Sequence, residues 1–342
     1  MGILQNLGLR RRIKWENLTL LDEILNSPLQ ALVLRIYLIV LWLRGNPIRP
    51  PPNKTPIRIV CLADTHDAFV EDVPEGDLLI HAGDMTSIGT ASSIQQQINW
   101  LANLPHRHKV LVTGNHDSWF DKDSRSEEDV LAHKEVQLKG IHLLNHKAET
   151  FHFKEGRKLV VYGNPSLPRC GGKDNAFQYD RDQHPWAGSI PLDTEILVTH
   201  TPPRHHLDLD IGCAGLTDEL WNLRTKPKLH VFGHVHCGRG TRSVFWDDCQ
   251  RAYEDLQARD QVAILDFLPK AIINLLPRGI IDLVPSYRWV DALKVLFYGL
   301  LSLVWQFLWQ GGRSEGSLMV NAGCQDGVKR RLNNKRPFVI EI

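Results

Sequence analysis

The chain runs to 342 residues, enough to bury a large core and long for one compact domain. Its 40 basic and 39 acidic side chains leave a formal charge of +1, so there is no bulk field for a polyanion and no nucleic-acid partner is expected. Six cysteines (Cys61, Cys170, Cys213, Cys237, Cys249 and Cys324) are scattered, without Cys-x-x-Cys pairs or the spacing of a disulfide framework, which fits a reducing cytoplasmic setting.

Residues 1–55 read as an N-terminal extension. Arg10, Arg11, Arg12 and Lys14 form a basic cluster, but no apolar run followed by a small-residue cleavage site is present, so a cleavable signal peptide is not expected. Gly2 invites a myristoylation reading, yet that pattern wants Ser or Thr at position 6 and meets Asn6. Residues 29–43 (LQALVLRIYLIVLWL) are apolar apart from Gln30 and Arg35. As a helix they would reach about 22 Å, short of the roughly 30 Å hydrocarbon core of a bilayer. Two readings stay open: a helix packed on the body of the protein, or an in-plane membrane anchor beside the basic cluster. Residues 45–56 (GNPIRPPPNKTP) make a stiff, Pro-rich linker and mark the domain boundary.

Residues 56–260 read as the core. The stretch 57–66 (IRIVCLADTH) opens with β-branched Ile57, Ile59 and Val60, which suit a buried strand. It ends in Asp64 and His66, whose i, i+2 spacing puts both side chains on one side of an extended chain. Further strands are predicted at 78–82, running into Gly83-Asp84; at 109–113, running into Gly114-Asn115-His116-Asp117; and at 158–162. Two more follow at 195–199, ending in His200, and at 229–232, leading into Gly233-His234-Val235-His236. Residues 90–104 have helical spacing. Strands alternating with helical segments predict an α/β domain, and open α/β sheets place their chemistry beyond the C-terminal strand ends.

Residues 261–315 interrupt this alternation and read as an apolar helical insertion. Within it, 289–309 (WVDALKVLFYGLLSLVWQFLW) is nearly long enough to span a bilayer, although Asp291 and Lys294 sit near its start. Packing into a core and a membrane-facing patch are both open for this run, and 29–43 with 289–309 could give the protein a peripheral membrane contact. Residues 316–342 then resume short strands and return to the core.

A lone Asp-x-His is usually a surface feature, and any one histidine is usually packed or solvated. The series is different: five strands in order run into ligand-type groups, namely Asp64, His66, Asp84, Asn115, His200, His234 and His236. Two carboxylates, four imidazoles and one amide oxygen, with no thiolate, suit a pair of divalent first-row cations. Such a pair about 3.5–4 Å apart supplies hydroxide near neutral pH for in-line attack on phosphorus. His116, beside Asn115, is placed to meet a phosphate and protonate a leaving alkoxide. His205 and His206 are expected in a solvated loop, with lining of the substrate pocket as the alternative; Cys61 is expected in the strand interior and Cys237 pointing away from the ligands.

These motifs, taken in order, resemble the calcineurin-like metallophosphoesterase superfamily. The segments THTPP (199–203), VYGNP (161–165) and LHVFGHVH (229–236), with the Gly212-Cys213 pair, are similar to its metallophosphoesterase-domain-containing branch. The resemblance covers 57–246 and 317–342 and implies a four-layer α/β/β/α sandwich. It also implies that Asp64, His66, Asp84 and His236 hold one cation and that Asp84 bridges to a second on Asn115, His200 and His234, with His116 as general acid. The cations implied are manganese first, with iron or zinc as alternatives. The Gly-Asp-x-x-Asp-Arg-Gly motif of the protein-phosphatase branch is missing, since Met85 and Thr86 follow Asp84, which argues against a phosphoprotein substrate. A small phosphodiester is the expected substrate. The alternatives are a phosphomonoester, a lipid phosphoester at a membrane surface, or a membrane-tethered scaffold keeping a relic metal site.

Overall fold

Helix-capping residues and apolar periods set the element boundaries in a computed structural model, which describes residues 3–13, 16–259, 278–282, 284–309, 315–327, 332–333 and 335–342. Lys14 and much of the predicted insertion, residues 261–277, 283 and 310–314, lie outside the described residues. The chain divides into two compact units, Met1–Pro47 with Ser243–Gly316, and Ile48–Arg242 with Ser317–Ile342.

The first unit is helical. It contains α1 (Ile3–Asn6), α2 (Leu20–Asn26), α3 (Pro28–Arg44), α7 (Asp248–Ala258), α8 (Arg278–Ile281) and α9 (Tyr287–Leu308). Ser27 caps α3 by accepting from the Gln30 N–H at 3.1 Å, with Pro28 at the first helical position, and Gly45 ends the helix at φ 78. Ser286 caps α9 in the same way, accepting from the Arg288 N–H at 3.2 Å. Leu29, Val33, Tyr37, Val40 and Leu41 of α3 pack with Cys249, Ala252, Tyr253 and Leu256 of α7 and with Ala292 and Val295 of α9. The Tyr37 and Tyr253 rings stack at 4.1 Å. By length and composition, α9 is apolar enough to cross a membrane. The unit takes in residues from Ser243 onward, a longer stretch than the insertion read at 261–315, because α7 buries its apolar face on α3 and α9.

The second unit is an α/β sandwich. In its first sheet β1 (Arg58–Leu62), β2 (Leu78–Ala82), β3 (His108–Val112) and β4 (His142–Leu143) run parallel, and β13 (Phe338–Glu341) pairs antiparallel with β1. The second sheet has the order β11-β12-β10-β9-β6-β5, built from β5 (Lys147–His152), β6 (Lys158–Asn164), β9 (Ile196–Thr199), β10 (Leu229–Phe232), β11 (Gly240–Val244) and β12 (Ser317–Asn321). A short ribbon joins β7 (Leu167–Pro168) to β8 (Gln178–Tyr179). Alternate residues of the two sheets meet: Ile59, Cys61, Ile80 and Val112 from one bury against Val161, Val198, Val231 and Val320 from the other. On the outer face of the first sheet, α4 (Ala91–Asn103) lays Ile94, Ile98 and Leu101 on Val60, Leu62, Leu79 and Leu111. A short α5 (Glu127–Leu131) follows β3, and helix α6 (Ala214–Asn222) is the crossover between parallel neighbours β9 and β10. Since the inner face is filled by the core, that crossover covers the outer face, which completes the four α/β/β/α layers.

Candidate metal centre

Five parallel strands end at one edge of the sandwich, and each delivers part of the site: β1 to Asp64 and His66, β2 to Asp84, β3 to Asn115 and His116, β9 to His200, β10 to His234 and His236. All seven predicted ligands and His116 lie in this cluster. Ligand atoms of Asp64, His66 and His236 fall within 4.8 Å of one another, as do those of Asp84, His200 and His234, and those of His66, Asp84 and His116. Asp84 therefore belongs to two of the three groups.

One sequence expectation fails at β1. The strand ends at Leu62, and Asp64 and His66 have φ of 53 and 44. Their side chains converge through a left-handed turn and not through strand alternation. The turn is held by backbone bonds across to β2, from Asp64 N–H to the Gly83 carbonyl at 2.9 Å and from His66 N–H to the Asp84 carbonyl at 3.1 Å. Asp84 (φ 53) and His234 (φ 65) share this conformation, which Asp and His tolerate better than most residues but which still stores strain. Gly114 is required for space: a Cβ there would collide with the Asp84 carboxylate and sit 2.8 Å from the His200 ring.

Each carboxylate accepts from a backbone N–H and faces imidazole nitrogens. Asp84 Oδ1 accepts from the His116 N–H at 2.9 Å, while Oδ2 faces His200 Nε2 at 3.2 Å and His66 Nε2 at 3.8 Å. Asp64 accepts from the His234 N–H at 2.9 Å and faces His236 Nε2 at 3.4 Å. His200 donates its Nδ1–H to the Ala82 carbonyl at 2.9 Å, which leaves Nε2 aimed at Asp84 Oδ2 and, at 3.1 Å, at Asn115 Oδ1. His66 and His236 bring their Nε2 atoms 3.2 Å apart. Lone pairs from two carboxylates, an amide oxygen and four rings thus point at one another. Only cations, either protons or metal ions, make such a set stable, so the donors fit two divalent ions.

The ionisation pattern agrees. Burial pushes the Asp84 carboxyl up, but the His200 and His66 imidazoles outweigh it and hold it well below the usual carboxylate range. Asp64 shows the same opposition, with burial overcome by His236, and is lowered. Burial opposes protonation of His200, yet Asp84 and Asp64 raise it to about 9. His234, buried beside His200, is lowered to about 4.

Several supporting residues carried no role in the sequence reading. Asp117 accepts from the Gly114 N–H (2.9 Å), the Thr86 N–H (3.1 Å) and the Thr86 hydroxyl (3.0 Å), and so locks the β2 and β3 loops together. Burial and the Asp84 carboxylate push its own carboxyl up to about 6. It stands inside the Gly-Asn-His-Asp motif, which was its available signal. Asn175 accepts from Asn115 Nδ2 at 2.7 Å and so turns the Asn115 oxygen toward His200; it lies in a loop with no legible pattern. His206 lies in a loop as read, but the expectation that it is solvated was wrong, since it is fully buried. Cys61 is buried in β1, as expected.

Ligand-type side chains at the ends of parallel strands in a two-sheet sandwich define a strand-end metal-binding class. A family model described as calcineurin-like phosphoesterase matches residues 57–238, and the chain belongs to that family. A stretch of 289 residues, 84% of this chain, is 38% identical to a protein of Emericella nidulans named probable rhamnogalacturonate lyase C, of which it spans 24%. A UPF0046 protein of Caenorhabditis elegans is 35% identical over 57% of this chain and 75% of its own length. Human metallophosphoesterase domain-containing protein 1 is 33% identical over 56% of this chain and 63% of its own length.

Proposed function

We propose that the chain is a dinuclear metal-dependent phosphoesterase whose preferred substrates are small phosphodiesters. The observation that carries this is the convergence of Asp64, His66, Asp84, Asn115, His200, His234 and His236 on shared gaps. Asp64, His66 and His236 would hold one ion, Asn115, His200 and His234 the other, and Asp84 both, with manganese favoured by the mixed nitrogen and oxygen donors. Two such ions would polarise phosphoryl oxygens and supply hydroxide at neutral pH.

The remaining work falls to the chain. His116 donates its Nδ1–H to the Ser87 carbonyl at 2.8 Å, which fixes the ring, and as the imidazolium it would carry a second proton on Nε2 to give to the leaving alkoxide. Asn175 holds the Asn115 amide in its ligating orientation. Among the described residues, imidazoles and backbone N–H groups make the close contacts to the two ligand carboxylates, and the Arg239 guanidinium acts on Asp64 only through space. A singly charged diester suits such a site better than a dianionic monoester, which calls for more fixed positive charge. The apolar helical unit favours a second reading, a lipid phosphoester, and rates on micellar against soluble substrates separate the two.

The test is metal analysis together with turnover of bis-p-nitrophenyl phosphate. Purified protein should bind two ions and cleave the diester with manganese. Asp84→Ala should lower metal content and turnover by more than the roughly 10–100-fold typical of an outer-shell group. Full metal loading with no hydrolysis of any aryl phosphate ester would remove the proposal.

A further inference from the structure

Helix α9 carries its side chains the wrong way round for water. Its inward stripe includes Arg288, Asp291 and Gln306, all buried. Arg288 pairs with Asp282 and reaches the Ser27 hydroxyl at 3.3 Å, Asp291 pairs with Arg259, and Gln306 donates to the Arg44 carbonyl at 3.3 Å. The outward stripe is Leu293, Phe297, Leu300, Val304 and Leu308, which share one helix face and are 42–67% exposed. Apolar exposure continues on α3 at Leu32, Ile39 and Trp42, the last 78% exposed. A helix in water buries its apolar face and shows its polar one. Here Arg288, Asp291 and Gln306 are buried beside Ala292, Val295 and Gly299, and the apolar outward face has no partner among the described residues of the unit, a pattern suited to a hydrocarbon surround.

We propose that this face of the helical unit lies in one leaflet of a lipid bilayer, with α9 in the plane of the membrane. Charge supports a lipid occupant. The one acidic residue of α9, Asp291, is buried, whereas its partner Lys294, 3.5 Å away, is 45% exposed and has the length to snorkel to anionic headgroups. Exposed Trp42, Trp305 and Trp309 are the residue type that settles at the headgroup boundary. At about 33 Å, α9 has the length to cross a bilayer. The in-plane orientation follows from α7, which packs along α9 and exposes Asp248 and Arg251 on its other side. A spanning α9 would draw those charges into hydrocarbon. The anchor is independent of catalysis at the metal centre.

Flotation of the full chain with vesicles of phosphatidylcholine and phosphatidylserine tests this. The protein should float, and Leu293→Asp/Leu300→Asp should cut the floated fraction by at least about tenfold while its circular dichroism and melting temperature stay unchanged, since both positions are exposed. Quenching by brominated lipids is read on the unaltered chain, so it stands if the variant misfolds. Bromines near the headgroup should quench tryptophan more than bromines at the acyl terminus. A chain that stays at the bottom of the gradient and sediments as a dimer would overturn the proposal and assign the face to a second copy. Deepest quenching at the bilayer centre would overturn the in-plane orientation.

Discussion

In the α/β unit, Ile, Val and Leu fill the space between the sheets, and ionisable groups gather at the strand ends. In the helical unit, Arg288, Asp282 and Asp291 are buried and paired while Leu, Phe and Trp face outward. The helical unit is the richer of the two in apolar residues, and it also points many of them the other way. The sandwich hides apolar surface from water at about 25 cal/mol per Å², whereas the outward face of α9 leaves apolar surface exposed, which lipid would cover under the anchor proposal.

Four measurements would break or sharpen that contrast. The largest effect is expected at the polar strand ends: His116→Ala should lower kcat by about 10²–10⁴-fold, the usual worth of a positioned general acid, with metal stoichiometry retained. Equal loss of metal would make it a ligand. Next, Ile80→Ala opens a cavity between the sheets and should cost about 2–5 kcal/mol by urea denaturation. A third concerns His230, buried in β10, which donates to the Thr199 hydroxyl at 2.8 Å. Burial, then His206, lowers its imidazole to about 3. The unfolded chain takes up a proton near pH 6.5 that the folded chain refuses, so stability is complete above that pH and is lost as pH falls from about 6.5 toward 3. Urea midpoints across that range should slope by up to about 1.4 kcal/mol per pH unit from this residue, and His230→Gln should flatten the slope. The smallest effect is expected at Leu300→Ala, within about 0.5 kcal/mol in stability without lipid, because the side chain is 64% exposed. A core-sized loss there would erase the contrast.

Much of the site was legible because its residues follow strands whose apolar runs are short and clean, such as Leu78–Ala82 before Asp84 and Leu229–Phe232 before His234. The seven donors and His116 could be named from chemistry alone. Other features depended on partners distant in sequence. The left-handed turn at Asp64 and His66 exists because β2 supplies carbonyls to its N–H groups. Burial of His206 and the grip of Asn175 on Asn115 arise from loops whose composition says nothing of their packing. The inclusion of α7 in the helical unit required its partners α3 and α9 to be in place.

The sequence by itself determined what repeats over a few residues: strand and helix periods, and the identities of the metal-type donors. Only the tertiary structure decided which side of α9 faces outward, and that two carboxylates, one amide and four imidazoles meet within ångströms. Periodicity and propensity act through neighbouring backbone groups, whereas convergence and facing are set by contacts between segments tens to hundreds of residues apart, which no local pattern encodes.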